Sequence, residues 1–427
     1  MSEPTREYTW ERRVADLERV LDVTRHLGAT VELDPLLARM AEAATSVLDC
    51  ERATVFLYDR NTDELFSRFA TGVTESGMKE IRFPATRGIS GEVARTSKLI
   101  NIADAYADSR FNPDIDRKSG FKTRNLLTFP LTGHDGTVVG VLQVLNKRQG
   151  AFDQRDEQLV HFLGAQAGVA VQRQLLLEHF AEKKRIQQDL NIAREIQQGL
   201  LPQANPELAG FDVAGWNRPA DETGGDCYDF MPLAGGELAI IIADATGHGI
   251  GPALVIAETR ALFRATIYQT RDLGMVVSHV NHLLNQDLAD DKFVTAFFGL
   301  LNPQEGKLRF TSAGHGPILS FAAATGEIKE MKAQGMPLGI MPDAEYEQPV
   351  ELALAAGDIV ALFTDGFFEW ARPDSEQFGL ERLHELIRAG RDMPAAELIQ
   401  HIYHSVLDFA AGTPQIDDLT AVLIKKL

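Results

Sequence analysis

Residues 238–249 read LAIIIADATGHG, an apolar run that ends in Asp244 and passes into a glycine-rich turn. An aliphatic run bounded by turn formers predicts a buried strand. Such a strand delivers the carboxylate of Asp244 to one edge of the core, and the glycines let backbone and ligand approach closely. We therefore expect a functional site where this strand ends.

Three other segments place an aspartate in the same setting. Asp226 lies in GGDCYD, Asp365 ends the apolar run of LFTDG, and Asp417 and Asp418 precede the final segment LTAVLIKK. An Asp-Gly pair at a strand end is usually only a turn, so each motif alone is weak evidence. Together, four carboxylates would neutralise two divalent ions, and oxygen ligands suit Mg²⁺ or Mn²⁺. The set predicts a two-metal site.

The pattern after residue 210 predicts many strands with helices interspersed. Helices are predicted at about 252–268, 275–289, 379–389 and 395–409. Because strands and helices do not alternate regularly, a Rossmann sheet is disfavoured, and two packed sheets with helices outside fit better. We assign residues 206–427 to this domain.

The C-terminal motifs also carry a family resemblance. AREIQQGLLP, GGDCYDF, DATGHG, FFGLLNPQEGKLRFTSAGHGPIL, GMPLGI, LFTDGFFEW and DDLTAV resemble, over residues 185–427, the sporulation-stage-II-E-type phosphatases of the metal-dependent protein phosphatase superfamily. The resemblance implies an α-β-β-α sandwich with two Mg²⁺ or Mn²⁺ ions. It implies hydrolysis of phosphoserine or phosphothreonine on a regulatory protein, often an anti-sigma-factor antagonist. The metal ligands it implies are Asp226, Asp244, Asp365 and Asp417 with the carbonyl of Ala245, and Asp418 and Asp229 as second choices.

The chemistry that follows from such a site needs no protein nucleophile. A metal-bridging water becomes the nucleophile and attacks phosphorus in line, while the metals absorb charge on the phosphoryl oxygens. His248 and His315 are possible proton donors, although histidines in glycine-rich turns are more often structural. Cys227 is interpreted as a core residue.

The N-terminal half predicts an α+β unit over residues 20–175. Residues 8–27 have the spacing of an amphipathic helix, and we assign residues 1–19 to an N-terminal helix. A second helix is predicted at 35–48, with Asp34 as its N-cap and Pro35 at its first position. Strand-like segments follow, and Asp135-Gly136 predicts a hairpin between the last two.

Part of this half is similar to the GAF domains of cyclic-nucleotide phosphodiesterases and cyanobacterial-type adenylyl cyclases. The spaced signature Asn146-Lys147, Phe152, Asp156-Glu157 carries the resemblance. In that family the signature supports the pocket rather than touching the ligand. The positions that match family pocket residues are Thr54, Phe69, Ile89, Ser90, Asn112, Asp116, Ser119, Thr123 and Gln143.

The residues themselves also support a pocket. The stretch 101–125 is polar inside an otherwise globular domain, and hydroxyls and helix-start amides there could hold a cyclic phosphate. Phe69, Ile89 and Phe111 would form an apolar wall for a purine. We expect cAMP or cGMP, and Ala70, where some guanine-binding relatives have an acid, favours cAMP. The alternative is a degenerate domain that serves only in dimerisation.

Residues 176–205 are predicted to be a helical linker. The positions Leu176, Phe180, Lys183, Ile186, Leu190, Ala193, Ile196 and Leu200 recur at an average near the coiled-coil period. Pro202 and Pro206 would stop the helix. We expect two copies of the chain to pair through this seam as a homodimer, although a helix packed on its own domain is the alternative.

Charge and composition limit the possible partners. The 427 residues carry a net charge of −19, which disfavours nucleic-acid binding. Two cysteines exclude a disulfide framework and fit a reducing cytoplasm, and neither a signal peptide nor a membrane span is expected. A competing hypothesis is a catalytically inactive second-messenger receptor or docking protein, which would not need all four aspartates.

Overall fold

The computed structural model describes residues 32–70, 81–289, 291–346 and 349–427. The chain divides into two compact units between Lys184 and Arg185. The helix predicted at 8–27 and the assignment of residues 1–19 lie outside the described residues. In the described part of the chain, no helix has the length and apolarity needed to cross a membrane.

The first unit is one antiparallel sheet with helices on both faces. Its helices are α1 (Leu33–Val47), α2 (Gly88–Thr96), α3 (Pro113–Ser119) and the first part of α4 (Gln154–Leu200). Its strands are β1 (Cys50–Asp59), β2 (Glu64–Ala70), β3 (Ile81–Pro84), β4 (Ile100–Ile102), β5 (Leu126–Thr132) and β6 (Val138–Lys147), in the order β3-β2-β1-β6-β5-β4. Helices α1 and α4 share one core with the sheet, and α2 packs on the opposite face.

Two glycines let α4 lie directly on β5. A Cβ atom at Gly164 would come within 2.6 Å of the carbonyl oxygen of Pro130, and one at Gly168 within 2.3 Å of the amide nitrogen of Thr132. The predicted hairpin at Asp135-Gly136 is present between β5 and β6, where Gly136 adopts a φ of +78°. The first helix starts at Leu33, two residues before the predicted start at residue 35.

The prediction of Asp34 as the N-cap of the first helix is wrong. Helix α1 begins at Leu33, and Glu32 occupies the cap position without a side-chain hydrogen bond. Asp34 lies in the first turn, where its negative charge complements the positive end of the helix dipole. Proline has no backbone N–H, and the amides of the first helical turn have no partner within the helix. Pro35 is therefore tolerated in this turn although the helix starts before it.

Helix α4 is one helix of 47 residues, and the predicted linker helix forms its second half. It ends at Leu200, before Pro202 and Pro206, as predicted. Leu176, Phe180, Ile186 and Ile196 of the predicted seam are between 51% and 68% exposed. The domain boundaries at 175 and 205 stay predictions, because the helix contributes residues to both units.

The second unit is an α-β-β-α sandwich, as predicted. Its strands are β7 (Glu207–Leu208), β8 (Phe211–Arg218), β9 (Asp226–Pro232), β10 (Leu238–Ala245), β11 (Val294–Asn302), β12 (Lys307–Ala313), β13 (Ile318–Ala322), β14 (Glu327–Met331), β15 (Val350–Ala353), β16 (Ile359–Phe363) and β17 (Leu419–Lys426). Its helices, besides the end of α4, are α5 (Ile250–Ile267), α6 (Leu273–Asp287), α7 (Gly366–Glu369), α8 (Leu380–Ala389) and α9 (Ala395–Ala410).

Two antiparallel sheets form the middle layers of this sandwich. One has the order β15-β12-β11-β10-β9, and the other has the order β14-β13-β16-β17-β8-β7. Aromatic and aliphatic side chains from both sheets fill the space between them. Helices α5 and α6 cover the outer face of the first sheet, and α8 and α9 cover the second. Strands β10 and β17 thereby place their polar ends at the rim of a fully apolar core.

Candidate active site

Asp226 and Asp244 face each other across two neighbouring strands. They are Cα partners in the antiparallel pair of β9 and β10. Their carboxyl groups are close enough for a hydrogen bond between them. Asp226 is buried, and Asp244 is half-buried at the end of the apolar strand that predicted it.

Asp365 and Asp417 come from the other sheet. Asp365 follows β16 and precedes the short helix α7, and Asp417 lies just before β17. Strands β16 and β17 are paired, and the pairing continues to a hydrogen bond from the Thr364 amide to the Thr420 carbonyl. Both carboxylates act electrostatically on Asp244. The structure therefore brings together all four aspartates that the sequence selects.

Burial and mutual repulsion raise the pKa values of Asp226, Asp244 and Asp365. The pKa of Asp226 is raised by burial and by the charges of Asp244 and Asp418. Burial, then Asp365, Asp417 and Asp418, raise the pKa of Asp244 to about 8. Burial, then Asp417, raises the pKa of Asp365 to about 6. Bound protons or cations would relieve this repulsion.

Two threonines hold the buried carboxylate of Asp226. Its Oδ2 accepts a hydrogen bond from Thr364 Oγ1 at 2.8 Å and another from Thr420 Oγ1 at 2.6 Å. These donors favour the ionised form of the carboxylate, against the effect of burial. Neither threonine was among the residues predicted from the sequence. The only local signal is that each lies within two residues of a predicted aspartate.

The carboxylate of Asp418 holds the loop that precedes β9. Its Oδ1 accepts the Ala220 amide at 2.7 Å, and its Oδ2 accepts the Asp226 amide at 3.3 Å. Gly225 lies against Ala245, because a Cβ atom on Gly225 would come within 2.8 Å of the Ala245 carbonyl oxygen. The metal-ligand assignments of Asp418 and of the Ala245 carbonyl stay predictions.

Asp229 lies outside the cluster. Its carboxylate Oδ2 contacts Arg260 Nε at 2.8 Å and Arg264 Nε at 2.6 Å, and its side chain is 1% exposed. Asp226 and Asp229 are three residues apart in one strand, so their side chains leave it on opposite faces. Asp229 therefore faces helix α5, where two guanidinium groups compensate its charge.

Among the described residues, His248, His315 and Cys227 do not form an activated nucleophile. His315 is buried, and burial lowers its pKa to about 4, so its imidazole is neutral at pH 7. His248 is exposed, with Nδ1 3.0 Å from Asp221 Oδ2. Cys227 is buried, and burial raises the pKa of its thiol. Cys227 is a core residue, as interpreted from the sequence.

The donor set fits hard divalent cations, although its side chains are not preassembled around one point. Within the described residues, no three His, Cys, Asp or Glu side chains are arranged so that they could hold an ion as they stand. Every donor at the rim is nevertheless a carboxylate or a backbone carbonyl, which Mg²⁺ and Mn²⁺ prefer. Carboxylates whose pKa values are raised by one another gain most from a cation between them.

The first unit contains an open surface pocket at the predicted pocket segment, and most of its lining residues have polar side chains. It has a volume of about 530 Å³ and is lined by Ala103, Asp104, Tyr106, Lys122, Thr123 and Arg124. Of these residues, only Thr123 was predicted. Its amide and hydroxyl donate to the two oxygens of buried Asp116, at 2.7 and 2.8 Å. Tyr106 Oη also donates to Asp116, at 3.0 Å.

The other predicted pocket residues fall into three groups. Thr54 and Gln143 are Cα partners on β1 and β6, and Gln143 Nε2 donates to Thr128 of β5. Ile89 and Ser90 are buried at the start of α2, and Ile89 belongs to the apolar cluster on which Phe111 packs. Asn112 is the N-cap of α3, so its oxygen is occupied by the Asp114 amide. The side chains of Phe69 and Ser119 lie outside the described part of the structure.

Asn146 of the Asn-Lys-Phe-Asp-Glu signature holds the cavity-lining segment in place. Asn146 Oδ1 accepts the Arg124 amide at 2.6 Å, and its Nδ2 donates to the Lys122 carbonyl at 2.9 Å. Lys147 Nζ pairs with Asp156 Oδ1 at 2.5 Å, close to the start of α4. Asn146 thus fixes the residues on either side of Thr123.

Comparisons with known proteins agree with this arrangement. The model of the GAF domain matches residues 32–171, and the model of stage II sporulation protein E (SpoIIE) matches residues 234–426. The chain combines a GAF domain with a SpoIIE-type phosphatase domain. The SiaA-PP2C domain of Pseudomonas aeruginosa superposes with a TM-score of 0.51 and 26% identity, over 58% of this chain and 99% of that one.

Two relatives cover the two halves. Phosphoserine phosphatase RsbU of Bacillus subtilis (strain 168) is 28% identical over 264 residues, which are 61% of this chain and 76% of RsbU. The probable 3′,5′-cyclic phosphodiesterase pde-5 of Caenorhabditis elegans is 33% identical over 187 residues, which are 42% of this chain. The match spans only 25% of that phosphodiesterase.

Proposed function

We propose that this chain is a signal-regulated, metal-dependent protein phosphatase that hydrolyses phosphoserine or phosphothreonine. The observation that carries the proposal is that paired strands of both sheets bring four aspartates to one end of the sandwich. Asp226 and Asp244 raise the free energy of the metal-free fold, because burial and neighbouring carboxylates raise their pKa values, and such perturbed groups are typical of functional sites. The likeness to a phosphoserine phosphatase over the same part of the chain supports the same chemistry.

Within this proposal, Asp226, Asp244, Asp365 and Asp417 hold two Mg²⁺ or Mn²⁺ ions, with help from the Ala245 carbonyl and Asp418. When bound, the ions supply an acidified water and neutralise negative charge on the phosphoryl group. Thr364 and Thr420 favour the ionised form of the Asp226 carboxylate and orient it. Asp418 holds the loop that leads into β9.

We further propose that the substrate is a phosphorylated regulatory protein of the anti-sigma-factor antagonist type. The support is the similarity to RsbU together with the resemblance of the motifs. The proposed compartment is the cytoplasm, since both cysteines are free and buried. A net charge of −19 supports a protein rather than a nucleic acid as partner.

The proposed effector of the GAF domain is a cyclic nucleotide, cAMP or cGMP. Support comes from the phosphodiesterase relative and from the surface pocket beside Thr123 and Asp116. Lys122 and Arg124 line this cavity and would attract the cyclic phosphate. Calorimetric titration of the full chain with each nucleotide tests this part, and absence of heat with both would leave a domain without this effector.

The proposed assembly is a homodimer that pairs through helix α4. The exposed apolar side chains at Leu176, Phe180, Ile186 and Ile196 are separated by sums of three- and four-residue steps, which keeps them near one face of the helix. Such a row is costly in water, and a second copy of the same helix would cover it. Analytical ultracentrifugation tests the pairing, and a Phe180→Glu variant should shift the chain toward monomer.

The direct test of the enzymatic proposal is hydrolysis of p-nitrophenyl phosphate by the full chain with Mn²⁺. Activity that appears with Mn²⁺ and disappears with a chelator would support a metal-dependent phosphatase. Nucleotide binding without any metal-dependent hydrolysis would favour the alternative, a catalytically inactive second-messenger receptor or docking protein.

A further inference from the structure

The segment that leads into Asp226 is fixed by its backbone. Residues 220–226 contain two consecutive glycines and form no regular element before β9 begins. Asp418 accepts the amides of Ala220 and Asp226, and the Gly225 carbonyl accepts the Ala245 amide at 2.9 Å. These contacts tie the segment to the two strands that deliver Asp244 and Asp417.

A third contact comes from the last turn of helix α4. Gln197 Nε2 donates to the Gly224 carbonyl at 2.6 Å, and Gln197 Oε1 accepts the Gly224 amide at 3.0 Å. One side-chain amide therefore satisfies both backbone groups of one glycine, in the way that a neighbouring strand would. Because two bonds are made to one residue, the pair fixes the orientation of Gly224 as well as its distance.

Gly224 lies close to the carboxylate that holds the Asp226 amide. A Cβ atom on Gly224 would come within 2.4 Å of Asp418 Oδ2, so its backbone lies directly against that carboxylate. Asp418 Oδ2 is the same atom that accepts the Asp226 amide. A shift of Gly224 towards this carboxylate would therefore press on the atom that holds the Asp226 amide.

We propose that Gln197 is a positioning residue of the metal site. It holds Gly224 against Asp418 and thereby sets where the carboxylate of Asp226 lies. The contact also makes the site depend on the helix: a rotation of the last turn of α4 withdraws the side-chain amide from Gly224. The inference rests on the proposed metal site and adds to it the residue that connects α4 to the ligands.

The test is Mn²⁺ affinity of the full chain, measured by calorimetry. Gln197→Met keeps the side-chain length and a strong helix former but removes both polar atoms. The matched control is Gln198→Met, at the exposed neighbouring position. We expect Gln197→Met to raise the Kd for Mn²⁺ about fivefold, the effect of losing about one ordinary hydrogen bond, and Gln198→Met to leave it within about twofold.

Two results would overturn the inference, and they differ in scope. If Gln197→Met lowers the melting temperature but binds Mn²⁺ like Gln198→Met, Gln197 has only a structural role. If Asp244→Asn also binds Mn²⁺ like the wild type, the proposed metal site itself is wrong. Gln197→Ala gives the same comparison with Gln198→Ala should the methionine variant fail to fold.

Discussion

Replacing Thr420 by valine should weaken Mn²⁺ binding, because it removes a hydroxyl that donates to Asp226. The Asp226 Oδ2 atom accepts this bond at 2.6 Å inside a buried site, with Thr364 as its second donor. A hydrogen bond to a charged group contributes about 2 kcal/mol. That energy corresponds to about 1.5 pKa units, so the pKa of Asp226 should rise further.

The expected consequence at pH 7 is a Kd for Mn²⁺ about 10- to 30-fold higher, since a proton competes with the metal for the carboxylate. The defect should shrink as the pH rises and this competition ends. Thr311→Val is the matched control, because Thr311 is buried in the same sandwich and its hydroxyl makes no hydrogen bond within the described part of the chain. Equal affinities for the two variants from pH 6 to pH 8 would refute this account of Thr420.

Three further predictions concern pH, the effector and the helix. Without metal, thermal stability should fall as the pH rises from about 4 to about 8. In the folded chain the pKa values of Asp365 and Asp244 are raised to about 6 and about 8, so these groups keep protons that the unfolded chain has released. Melting curves measured with Mn²⁺ should show the opposite trend. Asp116→Ala should weaken cyclic-nucleotide binding about tenfold in calorimetry, because it frees Thr123 and Tyr106, whereas exposed Asp114→Ala should not. Two residues inserted after Gln188 rotate the helix by about half a turn and should abolish nucleotide control of hydrolysis. Four inserted residues rotate it by about one turn and should retain more of the nucleotide control. Equal nucleotide responses in both variants and the parent would show that the helix is only a tether.

The apolar strand before Asp244 was predictable because every residue from Leu238 to Ala243 is buried. A strand covered on both faces has a continuous apolar sequence, so it can be recognised without knowing which strands pair with it. Strand β9 has no such continuous apolar sequence, since DCYDFMP contains two aspartates. Their burial depends on partners elsewhere in the chain: the threonines for Asp226, and the arginines of α5 for Asp229.

The contacts that complete the site join residues far apart in sequence. Thr420 and Asp226 are separated by 194 positions, and both lie in strands of different sheets. No local spacing in the sequence indicates such a pair. The sequence therefore predicts the carboxylates but not the hydrogen-bond donors that hold them. Gln197 is similar: helical periodicity marks the surface of α4, yet nothing in it shows that one amide reaches Gly224.

In the GAF domain, the signature was more informative than the pocket residues. Asn146 is hydrogen-bonded to Lys122 and Arg124 of the cavity-lining segment, which fits the supporting role that the resemblance implied. Asn112 matches a pocket position by sequence, but it caps helix α3 and is exposed. Tyr106 was missed because a tyrosine in a polar stretch has no periodicity that distinguishes it.

The central claim is that the rim aspartates hold the ions that make this chain a phosphatase. Mn²⁺-dependent hydrolysis of a phosphoserine peptide by Asp365→Asn, beside the exposed control Asp392→Asn, tests it most directly. We expect Asp365→Asn to lose more than about 100-fold in kcat/KM and to bind Mn²⁺ more weakly, while Asp392→Asn retains the wild-type rate. Wild-type turnover by Asp365→Asn at the same Mn²⁺ concentration would contradict the claim.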